Sequence, residues 1–250
     1  MASPPPAFKD HFSGQSHAYQ RYRPGYPPAL FEWLAGIAPG RGLAADAGAG
    51  NGQAAAQLAA HFDAVIAIEP SAAQLAEARM HPRVTYRQEP AEATSLQAGS
   101  VDLLVVAQSA HWFDWPRFTA EAARVLRPGG VLAIWSYGNC GVTPDIDRLV
   151  ADFSRDVVGP YWPRERRHVE EAYRTLALPF APIATPDLAM QTRWDAAAML
   201  GYLDTWSAVR RCRARTVRDP LALLVRPLTD AWGGVARPIS WPLTLIAGRA

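Results

Sequence analysis

With 250 residues, 49% of them hydrophobic, the chain is long enough to bury a substantial core and to form one large α/β domain or a domain carrying an inserted cap. A net charge of +2 with a pI near 8.7 falls short of the dense positive surface that binding to a nucleic-acid backbone demands. Cys140 and Cys212 stand far apart and outside any CxxC or Cys/His cluster, and the opening MASPPPAFKD lacks a basic start followed by an apolar stretch. The expectation is therefore an untargeted cytoplasmic protein without a disulfide framework, a bound metal or a membrane span.

In chain order, short apolar runs rich in Val, Ile and Leu occur at 42–46, 64–69, 83–87, 101–107 and 131–137, as strands buried on both faces require. Helical spacing separates them: Ala54, Leu58 and Phe62 after the first run, Leu75, Ala78 and Arg79 after the second, and Phe118, Ala122 and Leu126 after the fourth. Ser71 is a candidate N-cap, and the RPGG at 127–130 ends a helix. Strand then helix, repeated, predicts a doubly wound, mostly parallel sheet with right-handed crossovers. Two amphipathic stretches follow at 143–158 and 167–176, separated by the aromatic, Pro-broken GPYWPRER, and these read as a helical cap. A strand at 187–194, one helix over 195–211, a Pro-interrupted helix over 220–232 and a last strand at 239–249 complete the chain. Pro242 inside that last strand predicts an edge or a bulge.

Between the first strand and the first helix after it lies AADAGAGNGQ, residues 44–53, with glycines at 48, 50 and 52. A dinucleotide site requires a further glycine where Gln53 stands. Asp46 closes the strand just before the turn, where a carboxylate repels a pyrophosphate and attracts an ammonium or a sulfonium. Those two cations occur together in S-adenosylmethionine, which has no phosphate. Glu69 ends the second strand, 23 residues on, where an acid can accept both hydroxyls of a ribose.

These residues resemble the class I S-adenosylmethionine-dependent methyltransferases. DAGAGNG looks like the family's first motif, IEPS its second, EPAEAT its third, VDLLVVAQSAHWFD its fourth, and RVLRPGGVLAIW the stretch that follows. The segments FSGQSHAYQRYRPGYP, AQSAHWFD and GYLDTWSAVRR look like the small-molecule branch that includes trans-aconitate methyltransferase. The resemblance implies a Rossmann-like, seven-stranded, mostly parallel sheet with an antiparallel last strand. It divides the chain into an N-terminal lid and first helix (1–40), a cofactor-binding α/β core (41–137), a helical cap (138–182) and a C-terminal part of the sheet with helices (183–250).

Carried over residue by residue, Asp46, Gly48, Gly50 and Gly52 surround the methionine part of the cofactor, Glu69 takes the ribose, and Pro70 packs near the adenine. Pro90 replaces the third motif's usual acid, leaving the adenine to the backbone of Ala91 and Glu92. Gln108, His111 and Trp112, beyond the fourth strand, line the reactive end. Tyr19, Tyr22 and Arg23 belong to the lid, where Arg23 can reach a carboxylate. The expected activity is in-line methyl transfer to a small organic molecule, with a carboxylate as the candidate acceptor. Tyr161, Trp162, Arg164, Arg166 and Arg167 of the cap are then candidate walls of the acceptor pocket. No residue is assigned as catalytic. His111 is the nearest base for an acceptor that needs one. The rival readings are an RNA or other macromolecule methyltransferase and a cofactor-binding protein without turnover; the arginine groups at 163–168 and 210–215 are the only phosphate-track candidates, and no Pro-Cys or Asn/Asp-Pro-Pro-Tyr run follows the fourth strand.

Overall fold

Alternation within the strands decides which face each helix covers. The computed structural model describes Tyr22 and residues 24–250. In β4 (Val101–Ala107), Leu103 and Val105 point into one core with Leu30, Phe31 and Leu34 of α1 (Pro28–Ile37) and Ala55 and Leu58 of α2 (Gln53–Leu58). Their neighbours Leu104 and Val106 point into a second core with Phe118, Ala122 and Val125 of α4 (Trp115–Val125). A strand with apolar residues at both parities must be covered on both sides, as the continuous Val/Leu run predicts.

The other parallel strands are β1 (Leu43–Ala47), β2 (Ala64–Ile68), β3 (Val84–Arg87) and β5 (Leu126–Tyr137). A short α3 (Ala72–Ala76) follows β2, capped as expected by Ser71, whose hydroxyl accepts the Gln74 N–H. The parallel strands stand in the order β3-β2-β1-β4-β5, and the last strand, β8 (Arg237–Arg249), joins β5 antiparallel. Two further strands pair with β8: the two-residue β6 (Ala181–Pro182) and β7 (Ala189–Trp194). The sheet thus has eight strands among the described residues, one more than expected, and the addition is β6.

Pro242 corrects the edge-or-bulge expectation. β8 is an inner strand: its C-terminal half pairs β5 from Leu243 to Arg249, and its N-terminal half pairs β7 from Arg237 to Pro242. The proline occupies the rung where the strand changes partner, so its missing N–H interrupts neither ladder.

The cap and the segment after β7 also differ from expectation. α5 (Pro144–Asp152) gives way to a π-helical turn at Phe153–Val157 and a 3-10 turn at Gly159–Tyr161, where one helix over 143–158 is predicted. The second cap helix shrinks to α6 (Arg166–Glu170). The single helix predicted for 195–211 is two, α7 (Ala196–Asp204) and α8 (Ser207–Thr216). At the break Trp206 adopts an extended ψ of 132° and buries its ring against Trp162, Tyr202 and Phe153. Burying an indole outweighs the one or two helical hydrogen bonds given up there. α9 (Val225–Trp232) keeps Pro227 because it lies in the first turn, where no intrahelical donor is needed. No described helix is long and apolar enough to cross a membrane.

At the N-terminal ends of the strands, fully buried Asp102 fixes the register of β1, β4 and β5. Its Oδ2 accepts the Leu43 N–H at 2.8 Å and its Oδ1 pairs with Arg127 at 2.8 Å. Arg127→Ala strands that carboxylate; because the guanidinium is 42% exposed, the expected loss is about 1–3 kcal/mol in chemical denaturation, with ligand affinity at the opposite strand ends unchanged. Wild-type stability would mean that the pair contributes nothing to the register.

Candidate functional site

Beyond the carboxyl ends of the parallel strands lies a cavity of about 600 Å³. It opens where the strand order reverses, with β2 on one side of β1 and β4 on the other, the place at which open α/β sheets bind ligands. Its floor begins with the loop from β1 to α2. The Ile68 carbonyl accepts both the Gly48 and the Ala49 N–H, at 2.8 and 3.0 Å, so the end of β2 holds the start of the loop. Glu69 continues the grip: one carboxylate oxygen accepts the Gly50 N–H and the other the Ser71 N–H, both at 2.9 Å.

The three glycines do different things. Gly48 and Gly50 line the cavity, whereas Gly52 does not. A Cβ at Gly52 would stand 2.0 Å from the Tyr86 hydroxyl, itself tied to the Arg79 carbonyl at 2.6 Å, so this glycine exists for the β3 side chain. At Gly50 the nearest atom to a Cβ is Gln74 Oε1 at 3.9 Å, which leaves the loop's outer face open to a ligand.

Asp46 also stays out of the cavity lining. It is fully buried beneath the loop, with Oδ2 accepting the Ala55 N–H at 3.0 Å in the first turn of α2. Oδ1 has no hydrogen-bond partner among the described residues. Burial pushes its pKa up to about 7; the Ala55 N–H opposes the rise and the Glu69 carboxylate adds to it. Asp46 thus stands as a brace under the loop, outside the cavity lining, and its charge acts from below.

Pro70, Ala91, Glu92, Gln108, His111 and Trp112 all line the cavity, as the sequence places them. Two of them have side chains committed elsewhere: Glu92 accepts the Asp114 N–H at 2.9 Å, and the Gln108 amide makes a double hydrogen bond to the backbone of Tyr137, donating at 3.1 Å and accepting at 2.9 Å. Gln108 sits at φ 57°, a left-handed backbone that this double bond to β5 stabilises. Tyr22 is absent from the lining, and its ring presses on Gly201 of α7, where a Cβ would come within 2.6 Å of it. Tyr19 and Arg23 lie outside the described residues.

His111 occupies a 3-10 turn at Ala110–Trp112, with its Nδ1 3.0 Å from the Tyr173 hydroxyl and its ring 4.6 Å from Trp112. Burial lowers its pKa to about 3, helped by the nearby His168 and Arg166, so the ring is neutral around pH 7. Burial likewise raises that of Tyr173, which remains a phenol. Tyr173 and its predecessor Ala172 both have positive φ, 53° and 54°, each a strain on the order of 1–2 kcal/mol.

Of the five cap residues singled out, Trp162 and Arg166 reach the cavity. The Arg166 guanidinium lies 3.7 Å above the Trp162 ring and bonds to Glu170 and Asn139. Tyr161 and Arg164 line a shallower depression with Arg211 and Arg215, and Arg167 is exposed beside Glu171. Sequence reasoning missed Tyr202, Trp206, Ser207 and Arg210 as cavity residues. The tryptophan in the middle of a helix-like stretch, DTWSA, was the available signal.

Gly50→Ala is expected to lose only the backbone term, on the order of 1 kcal/mol. Gly52→Ala adds the clash with Tyr86, for a total of about 2–4 kcal/mol in chemical denaturation, and Tyr86→Phe in the same chain recovers part of it. Equal losses at the two glycines would contradict this division of roles.

A family model described as "Methyltransferase domain" matches residues 45–134. A methyltransferase homologue from Dictyostelium discoideum is 36% identical over 214 residues, covering 83% of this chain and 81% of its own. A solved structure from Anaeromyxobacter dehalogenans, described as a type II methyltransferase, is 47% identical with a TM-score of 0.86, over 91% of this chain and 98% of its own. An uncharacterized methyltransferase of Mycobacterium tuberculosis is 39% identical over 127 residues, about half of either chain (50% and 51%). With its doubly wound sheet and the glycine loop at the reversal of strand order, the chain belongs to the class I S-adenosylmethionine-dependent methyltransferases, and S-adenosylmethionine is its cofactor.

Proposed function

We propose that this enzyme methylates a small organic molecule, with a carboxylate as the candidate acceptor, and that the residues lining the glycine-loop side of the cavity hold the cofactor. The observation that carries the reading is the lining: Trp162, Trp206 and Tyr202, with Arg166 and Arg210, line the same 600 Å³ space as the glycine loop. That volume suits a small-molecule site. Aromatic rings exclude water from a small planar body, and guanidinium groups suit a carboxylate. The likeness of AQSAHWFD, residues 107–114, to the branch that includes trans-aconitate methyltransferase supports the same acceptor class. On this reading residues 41–137 hold the cofactor, while the cap (138–182) and the C-terminal part (183–250) shape the acceptor space.

The local chemistry fits the cofactor. An orphaned oxygen on a buried carboxylate beneath an open glycine loop is what a cationic ligand compensates, and Glu69 sits in the wall where a ribose would bond. When bound, S-adenosylmethionine supplies an already activated methyl group, so the chain's own task is to align the acceptor and keep the site dry. An ionised carboxylate needs no proton removed, in accord with a His111 too weakly basic to remove one.

Asp46 makes cofactor affinity depend on pH. Its folded pKa lies above the ordinary carboxylate value, so its contribution to stability is lost as pH rises through about 7. A bound ammonium favours the ionised form, so binding releases a proton and tightens as pH rises from about 6 to 8. Calorimetry with S-adenosylhomocysteine in two buffers of different ionisation enthalpy should show this, and Asp46→Asn should abolish the pH dependence. A pH-independent wild-type affinity would refute the role given to Asp46.

Screening small carboxylates, phenols and heterocycles with methyl-labelled cofactor, with RNA and protein fractions counted separately, tests the acceptor class. For a carboxylate that turns over, Arg166→Ala should raise its KM about tenfold or more, as loss of a charged hydrogen bond does, with S-adenosylhomocysteine affinity unchanged. Label confined to RNA or protein would overturn the small-molecule reading.

A further inference from the structure

His111 lines the cavity, while Tyr173, fully buried, is absent from the lining. The imidazole therefore bridges the two, with its Nδ1 edge toward Tyr173 and its opposite edge toward the cavity. The phenol oxygen has two lone pairs and one proton to place. A phenol O–H is a stronger hydrogen-bond donor than acceptor, and the unprotonated nitrogen of a neutral imidazole is a strong acceptor. The phenol's own proton therefore goes to Nδ1, 3.0 Å away. In a neutral imidazole, the nitrogen that accepts a hydrogen bond leaves the proton on the other nitrogen.

We propose that Tyr173 is a positioning residue that fixes the tautomer of His111, so that the ring presents Nε2–H to the cavity and holds an oxygen of the methyl acceptor as a donor. The backbone supports the assignment independently. Ala172 and Tyr173 are consecutive non-glycine residues at positive φ, and the Tyr173 N–H reaches back to the His168 carbonyl at 2.8 Å. Strain of this kind persists where surrounding contacts over-determine a position, and here its result is to deliver one hydroxyl to one imidazole nitrogen. The buried ring, near His168 and Arg166, stays uncharged and is a poor proton acceptor, as a donor group should be. The consequence for substrate class rests on the small-molecule reading: the accepting oxygen arrives already ionised, as in a carboxylate.

The tautomer can be read directly. In protein labelled with 15N-histidine, long-range proton–nitrogen correlation at neutral pH should give His111, assigned by its loss in His111→Asn, a protonated Nε2 and an unprotonated Nδ1. Tyr173→Phe should turn this single pattern into a tautomer mixture. A wild-type ring protonated at Nδ1, or at both nitrogens, overturns the proposal even if the variant fails to fold, and so does an unchanged tautomer in a folded Tyr173→Phe. These spectra need no acceptor, so they stand or fall separately from the label screen. With the best carboxylate from that screen, Tyr173→Phe should raise KM about fivefold with kcat changed less, as expected for one weakened hydrogen bond. A loss confined to kcat and restored at high pH would identify His111 as a base and overturn the donor role.

Discussion

The grip of β2 on the loop after β1 is the constraint from which the site follows. A chain leaving a buried parallel strand and entering a helix must turn within a few residues while its amide groups stay bonded. Here one carbonyl, that of Ile68, and one carboxylate, that of Glu69, take the N–H groups of Gly48, Ala49 and Gly50. Because Glu69 also accepts from Ser71, the same side chain ties the start of α3 to the β1 loop. Only a loop pinned in this way can leave the face at Gly50 uncovered without collapsing onto it.

Below that loop the electrostatics are held in tension. Asp46 is taken out of water entirely and offered one N–H, from Ala55, which leaves half of its carboxylate uncompensated. Burial and the nearby Glu69 both resist its ionisation, so a cation in the cavity is favoured twice, by attraction to each acid. Elsewhere the lining mixes signs: Arg166, bonded to Glu170 and stacked on Trp162, and Arg210 line the cavity together with Glu165. On the proposed reading, the acids around the glycine loop favour a cationic cofactor and the guanidinium groups an anionic acceptor.

The strands and the glycine loop were legible in the sequence because their signals are local. Runs of Val, Ile and Leu mark strands covered on both faces, and Asp46, the glycines and Glu69 follow each other at fixed spacing. What each glycine is for was not legible, since Tyr86, which forbids a side chain at Gly52, comes from another strand. Likewise nothing near Gln108 shows that its amide will be spent on Tyr137, 29 residues away, or that His111 will meet Tyr173 across 62 residues. The helix break at Trp206 was hidden for the same reason: helical spacing continues through 195–211, and the aromatic cluster that rewards the break is assembled from Phe153, Trp162 and Tyr202.

Two parts of the cavity lining consequently differ in how tightly the fold constrains them. Around β1 and β2 almost every residue is bound by a backbone requirement, whether a positive φ, a shared carbonyl or a buried acid, and a change there strains the sheet itself. The aromatic part is held by side-chain packing among Trp162, Trp206, Tyr202 and Phe153, with no sheet hydrogen bond depending on any one ring. Packing tolerates replacement by residues of similar volume far better than backbone geometry tolerates a Cβ. On the proposed reading, acceptor preference can therefore change through the cap and the segment around Trp206 while the wall around the glycine loop stays fixed. His111 lies at the seam: it sits on the rigid β4 side, yet its orientation is set by Tyr173 from the cap.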